Sequence, residues 1–273
     1  MMNGVKMEPL LLDLIFLSEK RKELLLFLKN GPKGMEEIKE SLSVTPTSIL
    51  PQIKKLKEKQ LVLQKNKNYE LSIIGKVIVE KMEPLLNSFQ LFERDFEYWS
   101  ERDLRGIPFT LRTRLGELGK CTLIRPDLNY MFELNREFVD QLFKSGYVYV
   151  FVAYFHPAFT SVYAELAEKG LEISFLLTRP VFQRFETDYG EALKKLLSFK
   201  NVKMLVLPED AGIAGLTVTD RFMLLSLFPK NRLFDRESLM CSETKSLRWG
   251  KELFDHLLED ASQVGEIKTG EKR

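Results

Sequence analysis

The sequence predicts an N-terminal winged helix-turn-helix, a helical connector and a C-terminal α/β domain with a mostly parallel sheet. Three observations favour this fold class: short helices precede a lysine-rich helix and hairpin, a long apolar-periodic stretch follows, and strands then alternate with helices. The 273 residues suffice for two ordinary domains. The predicted boundaries are 1–72 for the winged helix-turn-helix, 73–105 for the connector, 106–262 for the α/β domain and 263–273 for a disordered tail.

Composition and charge restrict the possible functions. Hydrophobic residues make up 44% and charged residues 29% of the chain, which excludes a disordered or low-complexity protein. The net charge is only +2, so any surface that binds nucleic acid must be local. Cys121 and Cys241 form no metal-binding pair, and we interpret both as reduced thiols. The apolar run at 10–17 is too short for a membrane span of about 20 residues, which predicts a cytoplasmic protein without a membrane partner.

The first elements follow the order of a helix-turn-helix. The pattern predicts a helix from Glu19 to Leu28, which Asn30-Gly31-Pro32 ends. A short helix from Met35 to Leu42 follows, and Ser43-Val44 make a tight connection to the next helix. That order is typical of a protein that places its last helix in the major groove of DNA.

The next helix is the predicted recognition helix, and it runs to about Lys59. Thr45 stands at the N-cap position and Pro46 at the first helical position. Pro51 removes one backbone hydrogen bond near the second turn, so we expect a kink there rather than a break. The predicted buried stripe consists of Ile49, Ile53 and Leu56.

A hairpin with lysines at its tip follows and predicts the wing. Strands are expected at 61–63 and 69–71 around a polar loop at 64–68. Residues 44–69 contain six lysines against Glu58 alone, and lysines neutralise DNA phosphates while short polar side chains reach base edges. The alternative is a helical bundle whose lysines only face water. The predicted DNA-binding residues are Thr45, Thr47, Ser48, Gln52, Lys54, Lys55, Lys59, Lys65, Asn66 and Lys67.

The connector carries an apolar stripe from Ile74 to Trp99, with apolar residues three and four positions apart. Pro84 predicts two helices that meet at Glu83. The stripe either packs on both domains or pairs with its twin in a homodimer. We favour the homodimer, because two-fold symmetry lets a protein bind paired DNA half-sites.

The last two-thirds of the chain alternates between strands and helices, which favours a mostly parallel sheet with an antiparallel edge. Strands are predicted at 121–124, 147–153, 171–177, 202–207, 213–219 and 222–228, and helices at 129–144, 158–169, 181–199 and 242–258.

A ligand site is expected where parallel strands end. Tyr154, Phe155 and His156 follow one strand, and Thr178 and Arg179 follow another. Arg179 would pair with an anionic group of a small-molecule effector, and the aromatic side chains would line an apolar pocket. The alternative is that Phe155 belongs to the core, His156 caps a helix and Arg179 forms an internal ion pair.

Motifs for catalysis are missing from the sequence. It has no phosphate-binding glycine loop, no GxSxG turn and no cluster of metal ligands. Neither His156 nor His256 is followed by a lysine two residues on, as a phospholipase-D-type motif requires. We therefore predict no catalytic residues, no cofactor and no metal, and a protein that is not an enzyme.

Short motifs along the chain resemble the methanogenesis and filament regulator family of archaeal winged-helix transcription regulators. The resemblance runs from about Leu10 to Leu258 and implies a DNA-binding regulator of a methanogenic archaeon with an effector-type domain. It carries over no catalytic residues and no ligand. The motifs are Gly116-Glu117-Leu118-Gly119, Pro126-Asp127-Leu128, Glu133-Leu134-Asn135, Phe155-His156-Pro157, Leu177-Thr178-Arg179-Pro180, Val218-Thr219-Asp220-Arg221-Phe222, Ser226-Leu227-Phe228 and Trp249-Gly250-Lys251-Glu252-Leu253-Phe254.

The leading hypothesis is a ligand-responsive transcriptional regulator that binds double-stranded DNA as a homodimer. The first alternative is an enzyme, of hydrolase or transferase type, with an N-terminal module that binds nucleic acid or a partner. The second is an interaction protein whose winged helix binds protein. Salt dependence separates DNA binding from apolar protein docking, because only phosphate contacts weaken steeply as salt rises.

Overall fold

The computed structural model describes residues 10–126, 133–208 and 210–264. The chain forms two compact units, Met1–Leu86 and Asn87–Arg273. The division falls inside the predicted connector. Each unit has its own buried core.

The first unit contains the predicted helices and hairpin. Its helices are α1 (Leu11–Phe16), α2 (Glu19–Phe27), α3 (Met35–Leu42) and α4 (Pro46–Glu58), with a 3-10 turn at Leu28–Asn30. Its strands are β1 (Lys33–Gly34), β2 (Val62–Lys65) and β3 (Asn68–Leu71), which form an antiparallel sheet in the order β1-β3-β2. The sequence patterns did not predict β1.

The core of this unit explains the spacing of its apolar residues. The predicted stripe on α4 is buried against α2, α3 and the sheet. Ser43 takes a left-handed backbone conformation, with φ of 51°, which ends α3 and turns the chain into α4. Pro51 lies inside α4, and the helix continues through it, as expected.

A helix longer than predicted follows the wing. α5 runs from Ile73 to Arg94, and α6 runs from Phe96 to Glu101. The expected break at Glu83 is wrong, because Pro84 lies inside α5. Proline has a helix-compatible φ and removes only one hydrogen bond, and buried residues on both sides, Met82 and Leu91, hold the helix in place.

The start of α5 is fixed by close backbone packing. The Ser72 hydroxyl accepts a hydrogen bond from the Gly75 N–H at 3.0 Å, which caps the helix. A Cβ atom at Gly75 would come within 2.1 Å of the Leu61 carbonyl oxygen. Only glycine therefore allows α5 to pack this closely after the wing.

The second unit consists of a mixed sheet between helices. Its helices after α6 are α7 (Phe109–Arg112), α8 (Arg136–Leu142), α9 (Ala158–Glu168), α10 (Arg179–Asp188), α11 (Gly190–Ser198) and α12 (Thr244–Leu258). Its strands are β4 (Cys121–Ile124), β5 (Tyr147–Val152), β6 (Glu172–Thr178), β7 (Val202–Leu207), β8 (Gly215–Thr219), β9 (Met223–Ser226), β10 (Ser238–Cys241) and β11 (Ser262–Gln263).

The strand order is β11-β7-β6-β5-β8-β9-β10-β4. Only β5, β6 and β7 run parallel, so the sheet is mixed and not mostly parallel as the sequence suggested. The remaining pairs are antiparallel. The strands β10 and β11 were not predicted, because each depends on its pairing with a strand far away in the sequence. The predicted helix at 129–144 and the tail at 263–273 lie partly outside the described residues.

Both faces of the sheet are covered. One face, with Phe151, Leu216, Leu225 and Leu239, packs in a core with α12. The opposite face, with Val150 and other residues of the parallel strands, packs in a second core with α8 to α11. Apolar residues alternate between these cores along each strand.

The two cysteines correct a prediction. Cys121 on β4 and Cys241 on β10 are directly opposite each other in the antiparallel ladder. Their Cα atoms are 4.3 Å apart, and the side chains form a disulfide rather than two reduced thiols. A sequence separation of 120 gave no sign of this contact, because it depends on the pairing of two short strands.

Candidate functional site

The exposed side of α4 carries most of the predicted DNA-binding residues. Its buried stripe turns the opposite side of the helix to solvent, where Thr47, Lys54 and Lys55 are exposed. Ser48 and Gln52 are half-buried at the edge of this surface. Hydroxyl, amide and ammonium groups along one helix can bind base edges and phosphates.

The N-terminus of α4 differs in one respect from the prediction. Thr45 has the extended backbone of an N-cap residue, but its side chain accepts no hydrogen bond from the backbone of α4. Its hydroxyl lies 3.0 Å from the Thr47 hydroxyl, and the Ser48 hydroxyl donates to the Thr45 carbonyl at 3.0 Å. The three hydroxyl side chains therefore form one small group at the start of the helix.

Gln52 is held by a residue that sequence reasoning missed. The Arg21 guanidinium, from α2, donates through Nη1 to the Gln52 side-chain oxygen at 2.6 Å and through Nε to the Leu14 carbonyl. Arg21 is buried. Because the Gln52 oxygen is engaged, the amide N–H₂ group is the part of this side chain available to an acceptor on a base.

The wing is tighter than predicted. β2 and β3 pair up to Lys65 and Asn68, so only Asn66 and Lys67 form the turn instead of the whole segment 64–68. Asn66 has a φ of 56°, a conformation that asparagine tolerates in two-residue hairpins. The turn therefore presents Lys67 at the tip of the wing.

The lysines of this surface differ in their surroundings. Lys65 pairs with Glu70 at 2.5 Å, and Lys54 lies 4.0 Å from Glu58. Lys59 is half-buried, whereas Lys55 and Lys67 are exposed. Exposed ion pairs are worth little, so Lys54 and Lys65 can exchange their partners for phosphates at small cost.

A further lysine joins the helix to the wing. Lys57 was counted in the basic cluster but not assigned to the site, and its Nζ donates to the Gln64 side-chain oxygen at 2.7 Å. The contact links α4 to β2. The sequence showed only the charge of Lys57, because its contact with Gln64 depends on where the hairpin lies.

The predicted ligand residues of the second unit do not form one site. Tyr154 and His156 line a cavity of about 410 Å³. Phe155 packs instead against Phe185 and Tyr189. Thr178 and Arg179 lie where α10 begins directly after β6, and neither lines the cavity.

The part of the chain that the structure describes contains neither a membrane-spanning helix nor a cluster of metal ligands. No helix within 10–126, 133–208 and 210–264 has the length and apolar character required to cross a membrane. Within the same ranges, no group of three or more His, Cys, Asp or Glu side chains could hold a metal ion.

Comparison with known proteins identifies the family. Residues 11–90 match the model of the methanogenesis regulatory protein FilR1, N-terminal domain, and residues 131–260 match the model of its middle domain. The chain belongs to the FilR1 family. The resemblance seen in the sequence motifs is thereby confirmed.

A curated relative extends the comparison. The methanogenesis regulatory protein FilR1 of Methanothrix harundinacea (strain 6Ac) is 22% identical over 255 residues, which cover 91% of this chain. The same alignment covers 57% of the relative, so the chain spans little more than half of that protein's length.

Two solved structures show similarity to this chain at low sequence identity. The archaeal chromatin protein TrmBL2 is 13% identical, with 93% of this chain and 97% of that chain covered and a TM-score of 0.43. The phospholipase D family member Nuc from Salmonella typhimurium is 6% identical, with 53% and 98% covered and a TM-score of 0.38.

Proposed function

We propose that this protein is a DNA-binding transcriptional regulator, in an archaeal setting like that of its FilR1 relative, and that it acts as a homodimer and responds to a small molecule. It acts by binding, not by catalysis. The FilR1 family membership supports the regulatory role.

One observation carries the DNA-binding part. α4 buries its apolar stripe in the first unit and exposes Thr47, Lys54 and Lys55 on its other side, while the two-residue turn of the wing presents Lys67. A helix of this kind fits the major groove, and a basic wing contacts the backbone beside it. The lysines supply affinity and the polar groups of α4 supply base contacts.

Exposed apolar residues on α5 support the homodimer. Ile74, Val77, Leu85 and Phe89 are between 45% and 55% exposed and fall on one side of the helix. A stripe of large apolar side chains is costly in water, and a second copy of the same helix would bury it. Two winged helices would then bind two half-sites.

The test measures DNA binding as a function of salt. The full chain is titrated into labelled duplexes, first a random-sequence duplex and then sequences selected by the protein from genomic DNA. We expect log Kd to rise linearly with log salt concentration. The double variant Lys55→Ala/Lys67→Ala should weaken binding to all sequences and reduce the salt slope by about two units or less.

A matched control removes the same charge elsewhere. Lys76→Ala/Lys200→Ala takes two exposed lysines that lie outside α4, the wing and the exposed stripe of α5. This control should keep most of the affinity. Equal losses in both double variants, or no loss in the first, would reject α4 and the wing as the DNA-binding surface.

A further inference from the structure

The second unit contains a cavity on one face of its sheet. α10 and α11 pack on β6 and β7, whereas the cavity lies over the antiparallel strands of the same face. Its floor is a row of neighbouring residues across the strands, in which Val152 pairs with Gly215, Gly215 with Ser226 and Ser238 with Ile124, and the hydroxyls of Ser226 and Ser238 are 2.7 Å apart. Its volume of about 410 Å³ suits a small organic molecule.

Gly215 places no side chain at the centre of the cavity floor. A Cβ atom at this position would meet its nearest neighbours, the Phe151 carbonyl oxygen and the Ser226 hydroxyl, at 3.5 and 3.6 Å. These are ordinary contacts, so the backbone does not require glycine here. The missing side chain instead leaves space above β8.

The wall of the cavity is aromatic. Phe138, Phe159 and Tyr163 line it, and Tyr154 packs at a tilt between Phe159 and Phe234, with ring centroids 6.0 and 4.7 Å away. Aromatic and aliphatic groups around a small-molecule site bury the apolar body of the ligand. The cavity therefore favours a ligand with an apolar body.

A buried hydroxyl in this wall lacks a hydrogen bond of normal geometry. Tyr163 is 1% exposed, and among the described residues its hydroxyl has only an imperfect contact with the Thr217 side chain. Burial and the neighbouring Tyr154 raise the pKa of this hydroxyl, whereas the Thr217 contact lowers it; Tyr154 and Thr217 both line the cavity. A poorly satisfied buried hydroxyl is costly, and an acceptor within the cavity would reduce that cost.

His156 supplies a second donor. It is 8% exposed, and its Nδ1 accepts a hydrogen bond from the Ala158 N–H at 3.2 Å. Burial, together with the positive charge of Arg236, lowers the pKa of His156. The ring is thus neutral at pH 7, and its proton lies on Nε2, where it can be donated.

Arg236 brings positive charge to the same corner. It lines the cavity, and its charge acts on both Tyr154 and His156. Its φ of 63° is unusual for arginine. The residues on either side, Asp235 and Glu237, both pair with the buried Arg102, so the backbone around Arg236 is anchored.

The other charges at the mouth limit the charge of a ligand. Arg125 is paired with Glu237 at 3.0 Å. Glu133, Arg136 and Glu137 also line the cavity and are exposed. The lining therefore carries three arginines against two glutamates, a net charge of +1, which favours a monoanion.

We propose that this cavity binds a small monocarboxylate with an apolar body. The carboxylate accepts hydrogen bonds from Arg236, His156 and Tyr163, and the apolar body lies over Gly215 against the aromatic wall. The inference deepens the proposed response to a small molecule and rests on that proposal for its biological role. The proposed site keeps Tyr154 and His156 from the predicted ligand residues and does not include Phe155, Thr178 or Arg179.

The test is a titration of the full chain with sodium octanoate, without DNA. The sequence has only two histidines, so the NMR signals of the two imidazole rings can be followed separately. A carboxylate beside His156 favours its charged form, and octanoate should raise the pKa of His156 by about one unit. The signal of His256, outside the cavity, should not move.

Four variants locate the binding. Arg236→Gln should weaken octanoate binding about tenfold or more, and Tyr163→Phe several-fold. Gly215→Val fills the floor and should abolish binding, while thermal melting verifies that the variant folds. Arg232→Gln is the matched control, because Arg232 also has a left-handed backbone, with φ of 62°, and does not line the cavity.

The results separate this inference from the proposed function. Unchanged binding in Arg236→Gln and Gly215→Val, or equal affinity for octan-1-ol, would overturn the carboxylate site. Absence of any octanoate effect on the His156 signal would do the same. A chain that binds octanoate but no DNA would refute the proposed function and leave the site standing.

Discussion

Single residues on α4 divide into those that hold the helix and those that we propose contact DNA, and we assign Gln52 to both groups. Its oxygen is held by Arg21, and its amide group is the free donor. Gln52→Glu keeps an acceptor for Arg21 and removes the amide donor. We expect thermal stability close to that of the wild type and an altered base preference in selected DNA sequences.

The matched control at the same scale is Gln64→Glu, which makes the same change of charge on the wing. This variant should weaken binding to all sequences alike, because it adds a negative charge near phosphates while keeping an acceptor for Lys57 of α4. If Gln52→Glu and Gln64→Glu shift sequence preference equally, Gln52 does not read bases.

At the scale of elements, Pro84 is the irregular feature of α5. It provides no N–H for the Glu80 carbonyl, yet the helix continues from Ile73 to Arg94. Pro84→Ala restores that donor, and the gain outweighs the greater freedom of the unfolded chain. We expect a stabilisation of about 1 kcal/mol and slower hydrogen exchange around Glu80. A lower melting temperature would show that the proline is needed where it stands.

Elements also show what sequence patterns can predict. The bounds of α3 were predicted correctly, because its apolar period and the turn residues around it are local signals. β10 and the strand order depend on pairing between distant segments. The cavity depends on which strands the helices leave uncovered, so its residues, including Arg236 and Tyr163, could not be selected from the sequence.

At the scale of the whole molecule, the central question is how many copies bind DNA together. We predict a dimer at micromolar concentration in sedimentation experiments. Val77→Glu places a charge in the exposed stripe of α5 and should give a monomer with weaker DNA binding. Lys76→Glu, which adds a carboxylate on the other side of α5, should remain dimeric. A wild-type monomer with intact DNA binding would refute the homodimer.

The bond between Cys121 and Cys241 makes most of the second unit a covalent ring. The ring includes every strand from β5 to β9 and the cavity floor. A protease that cuts the chain once between these cysteines therefore releases no fragment, and the two pieces migrate together until a reductant separates them. The unfolded ring also has fewer conformations than an open chain, by an amount equivalent to about 4–5 kcal/mol of stability. Reducing surroundings, which break the disulfide, would therefore remove this contribution to the free energy of unfolding.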